Sequence, residues 1–368
     1  MQFKHFAVSG FAMLVALSLT ACGASAKSGA GLLESSTQVE TSNGLVIDGE
    51  TIADKATYEK AKTQTLSLYS GYQENAEAAF LEAFTADTGI KVELMRLVPN
   101  RLAERVLSEQ GAGKLAADVI RTSDYDIADS FTKAGVWQPY VVPGTEDLEE
   151  VVIQDGNFSR VLNVVQTFGY NTQLVSQEEA PKSWADLLDP KWAGKIGISQ
   201  GTSGGSVAAL NRFIETKVSK DYWDKLAALN PTVFDGAGQK ATALARGEVA
   251  VATTGSSATN VSVNEDKAPL DYVVPEEGLV TFDYYVGVAS SAKNKEAAQL
   301  FMDYNFSKRG QSLFATLGDY AVRADVPTPV AVGRELPAID SDKVWRMSIS
   351  EVTFQAEDSA RWKKAFSY

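Results

Sequence analysis

The stretch ENAEAAFLEAFTADTG places apolar residues at Ala76, Ala79, Phe80, Ala83 and Phe84. The spacing i, i+3, i+4, i+7, i+8 predicts a helix with one buried face, and Gly89 suits its C-cap. Before it, TIADKATYEKAKTQ reads as a short helix, and TLSLYSGY reads as a buried strand from Thr65 to Ser70 that stops at Gly71. After it come IKVELMRL as a second strand, NRLAERVLSEQGAGK as a second helix and ADVIRTS as a third strand. Strand, helix, strand, helix, strand predicts a mostly parallel α/β sheet. The pattern resumes in KIGISQGTSGGSVAALNRFI (strand, Gly-rich turn, helix) and in KATALARGEVAVATTGSS (helix, strand, loop). KNKEAAQLFMDYNFS adds another amphipathic helix. Two α/β units in one chain predict two lobes.

Ligands of such sheets bind at the carboxyl ends of the strands. The candidate site therefore lies in the segments that follow them: Tyr72-Gln73, Ser123-Asp124-Tyr125, Gly201 to Ser206, and Gly255 with Ser256 and Ser257. GTSGGS is the most suggestive of these. A Gly-rich turn opening a helix offers free backbone N–H groups and the positive end of the helix dipole to an anion. Thr202, Ser203 and Ser206 can add hydroxyls beside Gly204 and Gly205. Taken alone, the same turn reads first as an ordinary helix N-cap. Arg101, opening the second helix, is either a further charge for that anion or a solvated residue.

The run VTFDYYVGVAS sets Asp283, Tyr284 and Tyr285 side by side. Two phenols and a carboxylate suit ferric iron, a hard ion that prefers anionic oxygen. Adjacent strand residues point to opposite faces, however. The expectation is that one tyrosine lines a ligand cleft and the other packs in a lobe, with both as plain core residues the alternative.

Composition narrows the chemistry. The chain has 368 residues, 45% hydrophobic and 22% charged, which suits a soluble protein of about two domains. Its net charge of -13 leaves no electrostatic footprint for nucleic acid. The first residues pair a basic start (Lys4, His5) with an apolar run from Phe11 to Leu19, then Leu-Thr-Ala before Cys22. This is a secretory signal pattern. It resembles the bacterial lipobox, which implies lipidation of Cys22 and loss of residues 1–21. That run is too short to span a membrane comfortably. Loss of Lys4 takes the charge to -13 - 1 = -14, and loss of His5 removes the one histidine. With one cysteine and no histidine, the mature chain has no Ser-His-Asp triad, Cys-His dyad or His-Cys zinc site. No paired-carboxylate motif stands out either, so an enzyme is not expected, nor a cofactor. Residues 22–45, rich in Gly, Ala, Ser and Thr, read as a flexible tether of roughly 25 Å.

From about Leu66 to Val326 the chain resembles the extracellular solute-binding proteins of ABC importers, in the branch of the periplasmic ferric-iron-binding proteins. The resemblance rests on LSLYSGYQENAEAAFLEAFTADTGIKVEL, AADVIRTSD, FGYNTQLVSQEEAPKSWADLLDPKWAGKIGI, GEVAVATTG, KNKEAAQLFMDY and DYAVRADV. SWADLLDPKWAGKI is the most specific of these blocks. The resemblance implies a two-lobed periplasmic-binding-protein-like α/β fold, each lobe a mixed, mostly parallel sheet flanked by helices. Two crossing hinge strands are expected near Val161–Asn171 and Leu270–Phe282. Lobe 1 is expected at 46–165 plus 276–320, lobe 2 at 166–275, and a C-terminal helical segment at 321–368. Closure over the ligand is a hinge motion.

The iron-binding set is not carried over. Gln73 stands where the relatives have a histidine, Ser123 (with Asp124 next) where a glutamate is common, and Ser257 and Ala258 where a tyrosine pair belongs. GTSGGS holds the place where the relatives cradle a phosphate. Asp124, Asp126 and Asp283 are candidates to meet a cationic group, with Tyr72, Tyr125 and Tyr284 to stack on it. The expected ligand is a small anionic or zwitterionic solute, an aminoalkylphosphonate being one that fits. Ferric iron or a ferric chelate is the alternative, and a sensory receptor for a membrane kinase is the alternative of another class. The expected partners are an ABC permease and ATPase and, through Cys22, the outer face of the cell membrane. The chain is expected to be monomeric, with no nucleic-acid partner.

Overall fold

Two sets of three short parallel strands flank two long ones along the main path of a 13-stranded sheet in the computed structural model, which describes residues 37–146, 148, 150–201, 204–347 and 355–367 (355–359 as backbone only). The expected signal peptide, Cys22 and most of the tether lie outside the described residues, as do Thr202 and Ser203. The long strands are Phe158–Asn171 and Leu279–Ala289, and every residue of both is buried. They pair antiparallel at the middle of the sheet, Phe282 opposite Val164 and Val280 opposite Gln166. On one side lie Val119–Thr122, Thr65–Ser70 and Lys91–Arg96, parallel to one another. On the other side lie Val251–Gly255, Ile196–Ser199 and Thr232–Phe234, also parallel to one another.

Direction and register together create the cleft. Each half-sheet runs antiparallel to the long strand beside it, and the long strands are antiparallel to each other. The two half-sheets therefore run in opposite senses. Thr122 ends one beside Tyr285, and Gly255 ends the other beside Gln166. The carboxyl ends of all six strands thus converge over the centre of the long pair.

The second crossing strand lies further along the chain than Leu270–Phe282. Leu270–Tyr272 forms its own short strand on Asn171–Gly169. Pro275, which has no N–H to donate to a ladder, then begins a tight turn closed by Gly278 N–H to the Pro275 carbonyl at 3.0 Å. Regular structure also starts within the expected tether, because Val39–Glu40 pairs with Leu45–Ile47. Among the described residues, the C-terminal part is helical only at its end. Strand Val344–Arg346 lies along Leu279–Thr281, and helix Gln355–Phe366 sets Trp362 against Trp223 with ring centroids 4.0 Å apart.

The stripe read from residues 76–84 is a helix face. Helix Glu74–Thr88 ends at Gly89 in the left-handed region (φ 74°). Phe80 stacks on Phe314 and Phe84 meets Phe301 and Tyr304 edge-on. The face thereby packs on helices Lys295–Phe306 and Lys308–Leu317. Within this aromatic layer Glu77 and Arg121 form an ion pair at 2.6 Å with both side chains fully buried.

Candidate ligand-binding site

Each of the six strands is followed by a helix N-terminus at the cleft. Five of these ends, at Gln73, Val98, Gly204, Gly236 and Gly255, have no side-chain capping bond. Uncapped ends leave N–H donors and the positive dipole pole available to an anion. At the sixth, the Asp124 carboxylate accepts from Asp126 N–H at 2.9 Å.

The ends enclose a cavity of about 50 Å³, several times the ~10–15 Å³ that admits one water. Gln73, Arg96, Ser123 and Tyr284 face it from one half. Ser199, Ser206, Lys240 and Thr254 face it from the other, with Gln166 and Phe282 on the floor. The halves meet where glycine permits. A Cβ on Gly205 would stand 2.2 Å from the Ser123 carbonyl oxygen, and one on Gly255 would stand 2.4 Å from Gln73 Nε2.

The polar groups here are donors and cations. Arg96 is steadied by one bond, Nε to the Tyr72 carbonyl at 3.0 Å. Lys240 Nζ donates to Ser199 Oγ and Thr253 Oγ1, both at 2.7 Å. Burial pushes its pKa down to about 7. Gln73 Oε1 is a buried acceptor without a partner. Tyr284 donates to the Gly71 carbonyl at 3.0 Å, and burial raises its pKa, with Arg96 and Ser123 opposing. No aspartate or glutamate is among the described lining residues.

Of the residues singled out from the sequence, Gln73, Ser123, Ser206, Tyr284 and the glycines 204 and 205 come together here. The others are engaged elsewhere. Tyr72 is fully buried beneath the cavity, its hydroxyl on Asp319 Oδ2 at 2.5 Å. Tyr125 packs edge-on against Phe158 and Tyr285, because it starts a helix whose apolar side faces that cluster. Ser256 donates to the Gly318 carbonyl at 2.5 Å, and Ser257 is buried beside Tyr72 and Asp319. Arg101 is a surface residue paired with Glu104 at 2.8 Å, one helical turn away.

Asp283 and Tyr285 face away from the cavity. Strand alternation puts Phe282 and Tyr284 on the cleft side and Asp283 and Tyr285 on the other. Asp283 is held by Arg346 at 2.6 and 2.8 Å, by Asn163, and by the Tyr285 hydroxyl at 3.2 Å. It is therefore unavailable to a cationic ligand group. The two tyrosines cannot share an ion, because the strand separates them.

Sequence reasoning missed Arg96, Lys240 and Gln166. Arg96 is the last residue of its strand rather than a residue after it. Lys240 follows a strand of three residues, Thr232–Phe234, too short to show a period.

A two-lobed fold with a donor-lined cleft between opposed strand ends defines a periplasmic-type binding protein. The model of the bacterial extracellular solute-binding protein family matches residues 116–344, and the chain belongs to that family. It is an extracytoplasmic solute-binding protein of the ABC-transporter type, in the branch that includes ferric-iron-binding proteins. It is 26% identical to the Fe(3+)-binding periplasmic protein of Serratia marcescens over 70% of this chain and 79% of that one. It is 25% identical to a putative 2-aminoethylphosphonate-binding periplasmic protein of Salmonella typhimurium over 77% and 85%. The chain spans 62% to 85% of the length of the curated relatives compared. Among solved structures, the substrate-binding protein of an Agrobacterium tumefaciens ABC transporter superposes with a TM-score of 0.71 at 18% identity, over 82% of this chain and 94% of that one.

Proposed function

We propose that the protein captures a small solute bearing a phosphate, phosphonate or carboxylate group and delivers it to an ABC permease, held at the membrane by lipid on Cys22. One observation carries the choice of ligand. Arg96 and Lys240 share a cavity with hydroxyls, amides and uncapped helix ends, but with no carboxylate among its described lining residues. Such a lining attracts an anion and repels a cation.

The same observation argues against ferric iron. That ion needs several anionic oxygens, whereas Tyr284 is the one phenol at the described cavity surface and burial keeps its proton on. It also shifts the expectation for the remainder of the solute. With Asp124 capping a helix and Asp283 bound to Arg346, neither of these carboxylates is available to a cationic tail. Gln73 Oε1 and the amide of Gln166 suit hydroxyls better.

The test is a melting-temperature panel on the soluble fragment, with inorganic phosphate, 2-aminoethylphosphonate, a hexose 6-phosphate and ferric citrate. A ligand of the native state raises the melting point by mass action. A rise with one of the three phosphorus oxyanions is expected. A rise with ferric citrate alone would overturn the reading. For the anchor, Cys22→Ala should release the protein from washed membranes.

A further inference from the structure

Lys240 is a buried amine with hydroxyl partners and no counter-charge. It is 4% exposed. Its two hydrogen-bond partners, Ser199 and Thr253, are neutral. Its own helix, Ala237–Ala245, carries no other ionisable residue, and neither do the strands Ile196–Ser199, Thr232–Phe234 and Val251–Gly255 packed on it. The first crossing strand brings Arg160 and Tyr170, which bond Asn163 and Asp271 instead. Across the cavity stand Arg96, a second cation, and Tyr284, a protonated phenol. The Glu74 carboxylate stands 4.0 Å from where a Cβ of Gly238 would be, and Asp235 precedes the N-cap of the Lys240 helix, but neither bonds the amine.

Buried ammonium groups are ordinarily paired. Here burial alone drives the amine toward its neutral form, to a pKa of about 7. An ammonium has three donors, and the hydroxyls take two. Among the described residues no carboxylate pairs with the ammonium, so its counter-charge has to arrive with the solute.

We propose that Lys240 determines specificity for oxyanions by taking the ligand's anionic group as its counterion, so that each anion bound above neutral pH draws one proton onto the amine. The proton comes from solvent: amine, proton and anion become an ammonium–oxyanion pair, with no other bond formed or broken. Neutral solutes gain nothing from this site. Affinity for an oxyanion falls as pH rises, because the proton becomes costlier to supply, whereas a site built on Arg96 alone stays charged and shows no such fall. The proposal rests on the oxyanion reading above.

Titration calorimetry at pH 9, with inorganic phosphate and a hexose 6-phosphate, tests it. Both probes are already dianions at that pH. Repeating each titration in two buffers of different ionisation enthalpy counts protons taken up. The wild type should take up about one proton per anion. Lys240→Met should take up none and bind about tenfold or more weaker, the loss of a charged hydrogen bond. Lys240→Arg, which is always protonated, should bind without proton uptake. Binding to the wild type without proton uptake, together with unchanged affinity in K240M, would overturn this proposal alone. No binding of either probe to the wild type would overturn the oxyanion reading and this proposal with it. The proton count on the wild type needs no variant to fold.

Discussion

Gly205 opens its helix directly against the backbone of Ser123, and a Cβ there would stand 2.2 Å from the Ser123 carbonyl oxygen. The two residues belong to opposite half-sheets, so their contact is a contact of closure. Backbone cannot move aside as a flexible side chain can. Gly205→Ala should therefore hold the cleft open. Alanine is favoured over glycine inside a helix by about 0.8–1.0 kcal/mol, so the variant should melt no lower than the wild type. Its affinity for the anions of the panel should drop about tenfold or more, and small-angle scattering with ligand should give a larger radius of gyration than for the liganded wild type. Unchanged affinity would mean that closure does not use this contact.

Tyr284 and Tyr285 should separate cleanly under mutation. Removing the Tyr284 hydroxyl takes a donor from the Gly71 carbonyl and changes the cavity wall. Tyr284→Phe should lose about 1 kcal/mol of stability and weaken anion binding. Removing the Tyr285 hydroxyl loses only the bond to Asp283 at 3.2 Å, on the far face. Tyr285→Phe should cost a similar stability, read by urea unfolding, and leave the affinity unchanged. Equal losses of affinity would contradict the assignment of faces.

Periodicity made much of this fold legible. The stripe Ala76–Phe84 needed only its spacing, and the rule that ligands sit past strand ends led to Gln73, Ser123 and the turn before Gly205. The illegible parts have physical causes. Arg96 reaches the cavity because a strand's final residue can lie at the carboxyl edge. Lys240 could not be placed because the strand before its helix is three residues long. Asp283 looked free because its partner, Arg346, lies far along the chain and arrives through a small strand with no pattern of its own. Tyr72 and Tyr125 read as candidates to stack on a ligand because loop position says nothing about which way a ring turns.

Asp319 ties the first crossing strand to the loop after Thr65–Ser70 below the cleft, accepting from the Tyr72 hydroxyl and from Val165 N–H at 3.1 Å. Burial pushes its pKa up to about 6, against these hydrogen bonds and that of Ser257. A carboxyl raised in the folded state favours folding while protonated. Its contribution is full below its unfolded value of 3.8 and is lost as pH rises through about 6. Between pH 7 and pH 5 it should therefore add about 1 kcal/mol to unfolding stability. Asp303, also raised to about 6 by burial, acts in the same direction. Asp319→Asn should flatten part of this slope in urea titrations, and Asp303→Asn a separate part. An unaltered slope in D319N would mean that Asp319 does not titrate between the two pH values.

Asp283 gives the sharpest contrast between a binding role and a structural one. Both its oxygens accept from Arg346, at 2.8 and 2.6 Å, with Asn163 and Tyr285 completing its shell. Asp283 is 6% exposed, and Arg160 lies close enough to feel its charge. Taking away the carboxylate leaves two guanidinium groups facing an amide. Breaking a buried pair from one side costs about 3–5 kcal/mol. The cost here should be smaller, about 2–3 kcal/mol, because the Arg346 side chain is 29% exposed and keeps Glu150 at 2.7 Å. Asp283→Asn should thus lower stability by that amount. Arg346→Met should cost less alone, and the double variant should cost less than the sum, since the pair is lost once. Affinity for 2-aminoethylphosphonate relative to inorganic phosphate separates the two roles. A structural Asp283 leaves that ratio unchanged in D283N, whereas a carboxylate that met the ligand's ammonium would lower it.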